Sequence, residues 1–225
     1  MGAITCGTGS YSSGTTRLEC RSGFSPTCRH ECRPTITDKA GRIDANIAEI
    51  LADPPLVWRV VESDDESSYL RELSKTTTRS FLAKIFGKAK PVPTVRHLSF
   101  SEHELRFVDL DKSWDGLNAC LKICAPHAPN FFDGEDVGKV EVGYGRALYQ
   151  RSEAMAGIAA AYAGLTTDML LSVYRTVDLR PLYPRGLWRH NDPEIESYLS
   201  ENFLALQAFV QHTRDHSLGA VIQFT

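Results

Sequence analysis

Two groups of residues have the types and spacing to do chemistry. Cys20, Cys28, His30 and Cys32 place four soft donors within 13 residues. Thiolates and imidazoles are zinc ligands, and an ion here would stabilise a stretch with few apolar residues of its own. The Cys-x3-Cys spacing with a histidine inside it is only a partial match to zinc patterns, and free thiols or a redox-dependent bridge are the ordinary alternatives. No cofactor is therefore expected. The second group is Asp109, Asp111 and Lys112, just ahead of Trp114 in the run DLDKSWDGL, with Tyr144 as a further candidate wall of a polar pocket. Two carboxylates beside an ammonium can move protons or hold a cation. The same residue types also suit a helix start, with Asp111 or Ser113 as cap, Lys112 paired to an acid and Trp114 in the core. No GxSxG, Gly-rich phosphate loop or HExxH supplies the rest of a catalytic set, so no catalytic residue is assigned and the chain reads as a binding protein rather than an enzyme.

Binding surfaces are read from charge and composition. Glu62, Asp64, Asp65 and Glu66 form a compact acidic run, and Asp133, Glu135 and Asp136 a second. Such patches can steer a protein onto a basic partner such as a nuclease, although a solvated loop and helix start have the same composition. Tyr11, Arg17, Arg21, Phe24, Arg29 and Arg33 have the aromatic and guanidinium content of an interface loop. Arg79, Lys84, Lys88, Lys90 and Arg96 carry the opposite charge, with no acid between Glu72 and Glu102. Pro91 and Pro93 alongside them favour an exposed helix end and linker over a nucleic-acid or membrane surface.

The elements that must position these residues belong to a chain of 225 residues, 42% of them hydrophobic, which suffices for one core but not for two large domains. A formal charge of −3 argues against nucleic acid as a direct partner. No apolar run approaches the roughly 20 residues of a membrane span. The opening MGAITCGTGSYSSG has neither the charged nor the apolar region of a signal peptide, so a cytoplasmic protein with reduced thiols is expected.

Residues 6–38, rich in Gly, Ser, Thr, Cys and Arg, predict an irregular excursion with at most short strands. Ile43, Ile47, Ile50 and Leu51 recur at helical spacing until Asp53-Pro54-Pro55 stops them, and a second helical pattern covers about 66–86. Residues from Arg106 alternate like a strand, Ser113 looks like the N-cap of a helix running to Cys124, and 125–138 reads as a loop. Helices are predicted from Ser152, from Thr166 and from Asp192-Pro193, the last reaching about Asp215. The apolar Ala220-Val-Ile-Gln-Phe ends the chain as a central strand. Irregular alternation of helix and strand makes this an α+β fold, a single compact domain over 1–225 with a small mixed sheet packed by several helices and an irregular N-terminal insertion at 6–38.

Three segments, DLDKSWDGL (109–117), EVGYGRALYQRSEAM (141–155) and the stretch 182–224 beginning LYPRGLWRHNDPE, occur in an order that resembles the YfbM-like family of small bacterial proteins, a domain of unknown function. The helix at 43–53 with its ADPPLV ending resembles that family's N-terminal element, and the Cys-rich stretch looks like an insertion. The family usually has histidines where this chain has Asp115 and Asn118, so no role for such a pair carries over. Some YfbM-like proteins resemble cytoplasmic immunity proteins that neutralise toxins delivered by neighbouring bacteria, as in type VI secretion. The resemblance implies a cognate toxin as partner; the composition of the 6–38 excursion and of the acidic run at 62–66 makes these the expected contacts.

Overall fold

The structure, a computed structural model, describes residues 34–38, 43–61, 66–78 and 95–224. Among these, strands β1 (Pro34–Asp38), β2 (Arg106–Asp109), β3 (Glu135–Val142), β4 (Gly145–Gln150) and β5 (Ala220–Phe224) form one sheet in the order β2-β1-β5-β4-β3. The apolar C-terminal strand is central, as its composition requires. The sheet expected to be mixed has four antiparallel ladders, and its parallel component is one isolated bridge between Gly143 and Phe224. The α+β class stands. The expected excursion at 6–38 gives way to regular structure at its end, where β1 pairs with both β2 and β5.

Side chains of a strand alternate between faces, and β5 uses both. Ala220 and Ile222 join one apolar cluster and Val221 the other. The Val221 face is covered by α1 (Ile43–Ala52), the turn Pro54–Leu56, α2 (Val57–Val61) and α3 (Ser67–Thr78), with Ile50, Leu56, Val57, Val60 and Tyr69 packed on Val142, Ala147 and Tyr149. The Ile222 face is covered by α4 (Trp114–Cys124), α5 (Ser152–Tyr162), α6 (Thr167–Tyr174) and α7 (Pro193–Asp215). Leu117, Met155, Ile158, Leu199, Phe203, Leu206 and Phe209 fill that layer. The expected second helix is described as far as Thr78, and 79–86 lie outside the described residues.

Local signals place these elements. The Thr166 hydroxyl accepts from Met169 N at 3.2 Å and the Asp192 carboxylate from Glu194 N at 3.0 Å, each capping its helix. Ser113 occupies the first cap position of α4 without capping it; its hydroxyl donates to Leu110 O at 2.6 Å, closing a 3₁₀ turn over Asp111–Ser113. The loop expected at 125–138 ends early, because β3 begins at Glu135 and hairpins with β4. No single helix among the described residues is long and apolar enough to cross a membrane.

The long segment between α6 and α7 is tied down by Trp188, which is 2% exposed and lies flat on Gly116 of α4. A Cβ on Gly116 would come within 2.7 Å of Trp188 Cζ2 and nearer still to Cη2 and Cζ3. The indole cannot step aside, because its Nε1 donates to Tyr183 O at 2.9 Å. Alanine favours a helix over glycine by up to about 1 kcal/mol, but overpacking costs about 1–3 kcal/mol. Gly116→Ala should therefore lower the urea unfolding midpoint. An unchanged or raised midpoint would show that the ring moves freely.

Candidate functional site

The run DLDKSWDGL starts at the end of β2, where the chain turns sharply into α4. Asp111 carries the turn in the left-handed region at φ 45°, which aspartate tolerates better than most residues. Asp109 Oδ1 accepts from Asp111 N at 2.9 Å. Tyr198 of α7 reaches in from the facing layer: its hydroxyl donates to Asp111 Oδ2 at 3.0 Å and accepts from Lys112 N at 2.9 Å. Burial first, and the Asp111 carboxylate second, push the Tyr198 phenol far above its ordinary range, so it remains a donor. Tyr144 is not part of this group. It lies exposed on the β3–β4 turn, its N–H donating to Phe224 O at 2.7 Å. The register Asp109–Thr35–Gln223 puts it about three strand spacings away, roughly 14 Å. Of the expected polar pocket, the structure gathers Asp109, Asp111 and the Lys112 backbone on Tyr198.

The next three residues face the loop before α7. Trp114 is half-buried against Phe132, Tyr183 and Phe224, with ring centroids 4.9 Å from Phe224. Asp115 Oδ2 accepts from Tyr183 N at 2.9 Å, which makes it a clamp on that loop. Neither the Trp114 indole N–H nor Asn118 Oδ1 has a hydrogen-bond partner among the described residues. Cys120, on the same helix, is buried and its thiol is pushed up to about 12 by burial, so it is an inert packing residue.

A cleft of about 270 Å³ opens beside Trp188, lined by Tyr174, Asp178, Leu179, Arg180 and His190. Its charges are spent on one another: Arg180 Nε and Nη2 donate to the two Asp178 oxygens at 2.7 and 2.9 Å, holding that carboxyl down at about 2. Other surface acids are likewise matched. Glu135 pairs with Arg151 at 2.6 Å, Asp136 with Arg146 at 2.5 Å and Glu196 with Arg175 at 2.6 Å, so the second acidic run is largely neutralised. Glu66 sits 3.2 Å from Arg59 and 3.8 Å from His97. Arg96, read from sequence as part of a basic stretch, pairs with Glu49 at 2.7 Å.

A constellation that the sequence reading did not name lies at the end of α7. His212 lies in the last turn of α7, His216 four residues on caps its end with its N–H donating to His212 O, and His103, from the 3₁₀ turn Glu102–Leu105, stacks on His216 with centroids 4.0 Å apart. One ring nitrogen from each of the three lies within 4.8 Å of the others. His212 Nε2 contacts His103 O at 3.0 Å, and Arg106 Nη1 reaches His212 Nδ1 at 3.1 Å. Burial, then Arg106 and the neighbouring imidazoles, lower the His212 pKa from its ordinary value, against the upward pull of the His103 carbonyl. The signal in the sequence was the His-x3-His spacing; His103 had none, being 109 residues upstream.

A family model described as a domain of unknown function, DUF1877, matches residues 43–223. The chain belongs to the DUF1877 family. No curated protein and no solved structure matches it. All the constellations above fall inside the DUF1877 span. The expected contact residues Tyr11, Arg17, Arg21, Phe24, Arg29 and Arg33, and the zinc candidates Cys20, Cys28, His30 and Cys32, precede that span and lie outside the described residues. Glu62, Asp64 and Asp65 of the acidic run, and Arg79, Lys84, Lys88 and Lys90, fall within the family span but also lie outside the described residues.

The Tyr198 bridge makes a definite demand on stability. Removing its hydroxyl leaves a half-buried carboxylate and a backbone N–H short of a partner, at a cost of about 1–3 kcal/mol. Tyr198→Phe should lower the unfolding free energy by that amount and the urea midpoint with it, while Tyr144→Phe should not move the midpoint. Equal effects would dissolve the distinction drawn between the two tyrosines.

Proposed function

We propose that this DUF1877 chain is a YfbM-like immunity-type protein that binds a cognate bacterial toxin, in the manner of a nuclease inhibitor, and covers its active site. The observation that carries the reading is the open edge of the sheet. Strand β2 pairs on one side with β1, and its other side has no strand partner among the described residues. Phe107 on that edge is 40% exposed and Leu105 just before it 55% exposed. Edge strands of monomers usually carry charge or cover against such contact; β2 carries Arg106 and Asp109 but no cover from another strand among the described residues, and these two large apolar side chains suit an extended segment of a partner protein. The mutual pairing of the cleft and surface carboxylates supports the same reading, because it leaves them little capacity for acid–base work. The excursion at 6–38, up to β1, and the acid run 62–66 supply further contact in this proposal, the acids meeting a basic toxin surface.

The test is binding to the toxin encoded beside this gene in its host. Deleting residues 8–33, which spares β1, should abolish binding and leave the thermal transition nearly unchanged. Phe107→Asp should weaken binding at least tenfold with the fold intact, since interface aromatics are common hot spots. If both variants bind as the parent does, these contact surfaces are wrong. If the parent fails to protect against the toxin, the immunity reading itself falls.

A further inference from the structure

The histidines at the end of α7 do not enter the toxin-binding proposal, and their geometry has a chemistry of its own. Residues four apart on a helix lie one above the other, so His212 and His216 present their rings side by side, the arrangement that lets two histidines of one helix share a metal ion. His103 completes a third corner from a separate element, with donor nitrogens no more than 4.8 Å apart. Around a tetrahedral zinc with bonds of about 2.05 Å the nitrogens stand about 3.3 Å apart. The remaining gap can be closed by rotating His103 and His216, both exposed. The site also sits where α7 ends, and the unsatisfied carbonyls of a helix C-terminus favour a cation.

The tautomer of His212 fits this role. A guanidinium has no acceptor, so the 3.1 Å contact from Arg106 Nη1 requires the lone pair to be on Nδ1. Nε2 then carries the proton and donates to His103 O at 3.0 Å. A ligating histidine commonly has this form, one nitrogen for the metal and the other N–H held by a backbone carbonyl. Arg106 occupies the metal's place on Nδ1 and must swing outward for an ion to bind.

We propose that His103, His212 and His216 form a three-histidine site for a borderline divalent transition ion such as zinc, nickel, copper or cobalt, with Arg106 as the group that ion displaces. All-nitrogen donors select such ions over magnesium and calcium, which prefer oxygen. Three protein ligands leave at least one coordination position open to water or to a side chain of a partner.

Titration of the full-length chain with cobalt(II), followed by visible absorbance, and with zinc by equilibrium dialysis tests the site. The parent should bind one ion at these histidines with a midpoint in the micromolar range, unaffected by millimolar magnesium. His103→Gln and His216→Gln should each weaken it at least tenfold, and the double variant should bind one equivalent fewer. Arg106→Gln should tighten binding, a gain that a damaged fold cannot mimic. Cysteine ligation elsewhere would announce itself by an intense near-ultraviolet sulfur-to-cobalt band, which nitrogen ligands lack. The proposal is overturned if the double variant retains the parent's full stoichiometry and midpoint, or if the parent takes up no ion at 1 mM.

Discussion

Strand β5 must be buried on both faces, and the rest of the structure follows from that requirement. Ala220, Val221, Ile222 and Gln223 are all buried, so neither face of the sheet can be left to solvent at its centre. The chain meets this with two covers drawn from different parts of the sequence, α1 to α3 on the Val221 face and α4 to α7 on the Ile222 face. A central strand also needs neighbours on both edges. β1 supplies one from the start of the described chain and β4 the other. The centre of the sheet is therefore closed through pairings distant in sequence, which form slowly relative to local helical packing.

The elements legible in the sequence are those whose local pattern and tertiary role agree. The run Ala220–Phe224 is apolar because both faces are buried, and Asp192-Pro193 starts α7 by the same cap and fixed φ that a reader recognises. The β3–β4 hairpin escaped the periodicity argument for a physical reason. The buried residues of β3 are Val137, Val140 and Val142, so the two-residue alternation slips by one, and the register with β4 shifts between Asp136 and Glu141. Gly138, at φ 63° and pressed against Pro54, sits inside that irregularity, and no Cβ fits there. Ser113 stands at the start of α4 as expected, but its hydroxyl turns back to Leu110 O instead of capping the helix. A helix cap and a 3₁₀ turn favour the same small polar residues, and only the hydroxyl's direction separates them.

The conspicuous residue types of DLDKSWDGL have a shared structural explanation. Asp111 receives the Tyr198 hydroxyl, Asp115 the Tyr183 amide and Gly116 the Trp188 ring, so each is paired with a residue of the C-terminal part of the chain. The motif is the seam where α4 meets the loop and helix that return to form β5. A seam needs polar groups at fixed positions to select one packing, and it needs a glycine where an indole must lie flat. Such residues resemble a catalytic set in sequence because both demand specific types at specific spacing. In space, Asp111 and Asp115 are bonded to the Tyr198 hydroxyl and the Tyr183 amide.

The same segment that carries the sheet's open edge also carries His103 and Arg106. Between His103 and Phe107 lie only three residues, the 3₁₀ turn runs directly into β2, and the turn is held by the Glu104 carboxylate bonded to Ser101 N. Arg106 and Val108 point toward α7, while the residue between them, Phe107, points to the opposite face, as strand alternation requires. A swing of Arg106 away from His212 removes one of the side-chain contacts that tie this edge strand to α7. β2 has only four residues and, like β3 at the other edge of the sheet, a ladder on one side. The three proposed ligands thus join the end of α7 to the turn that leads directly into the edge strand, so both elements must hold their places for the histidines to meet.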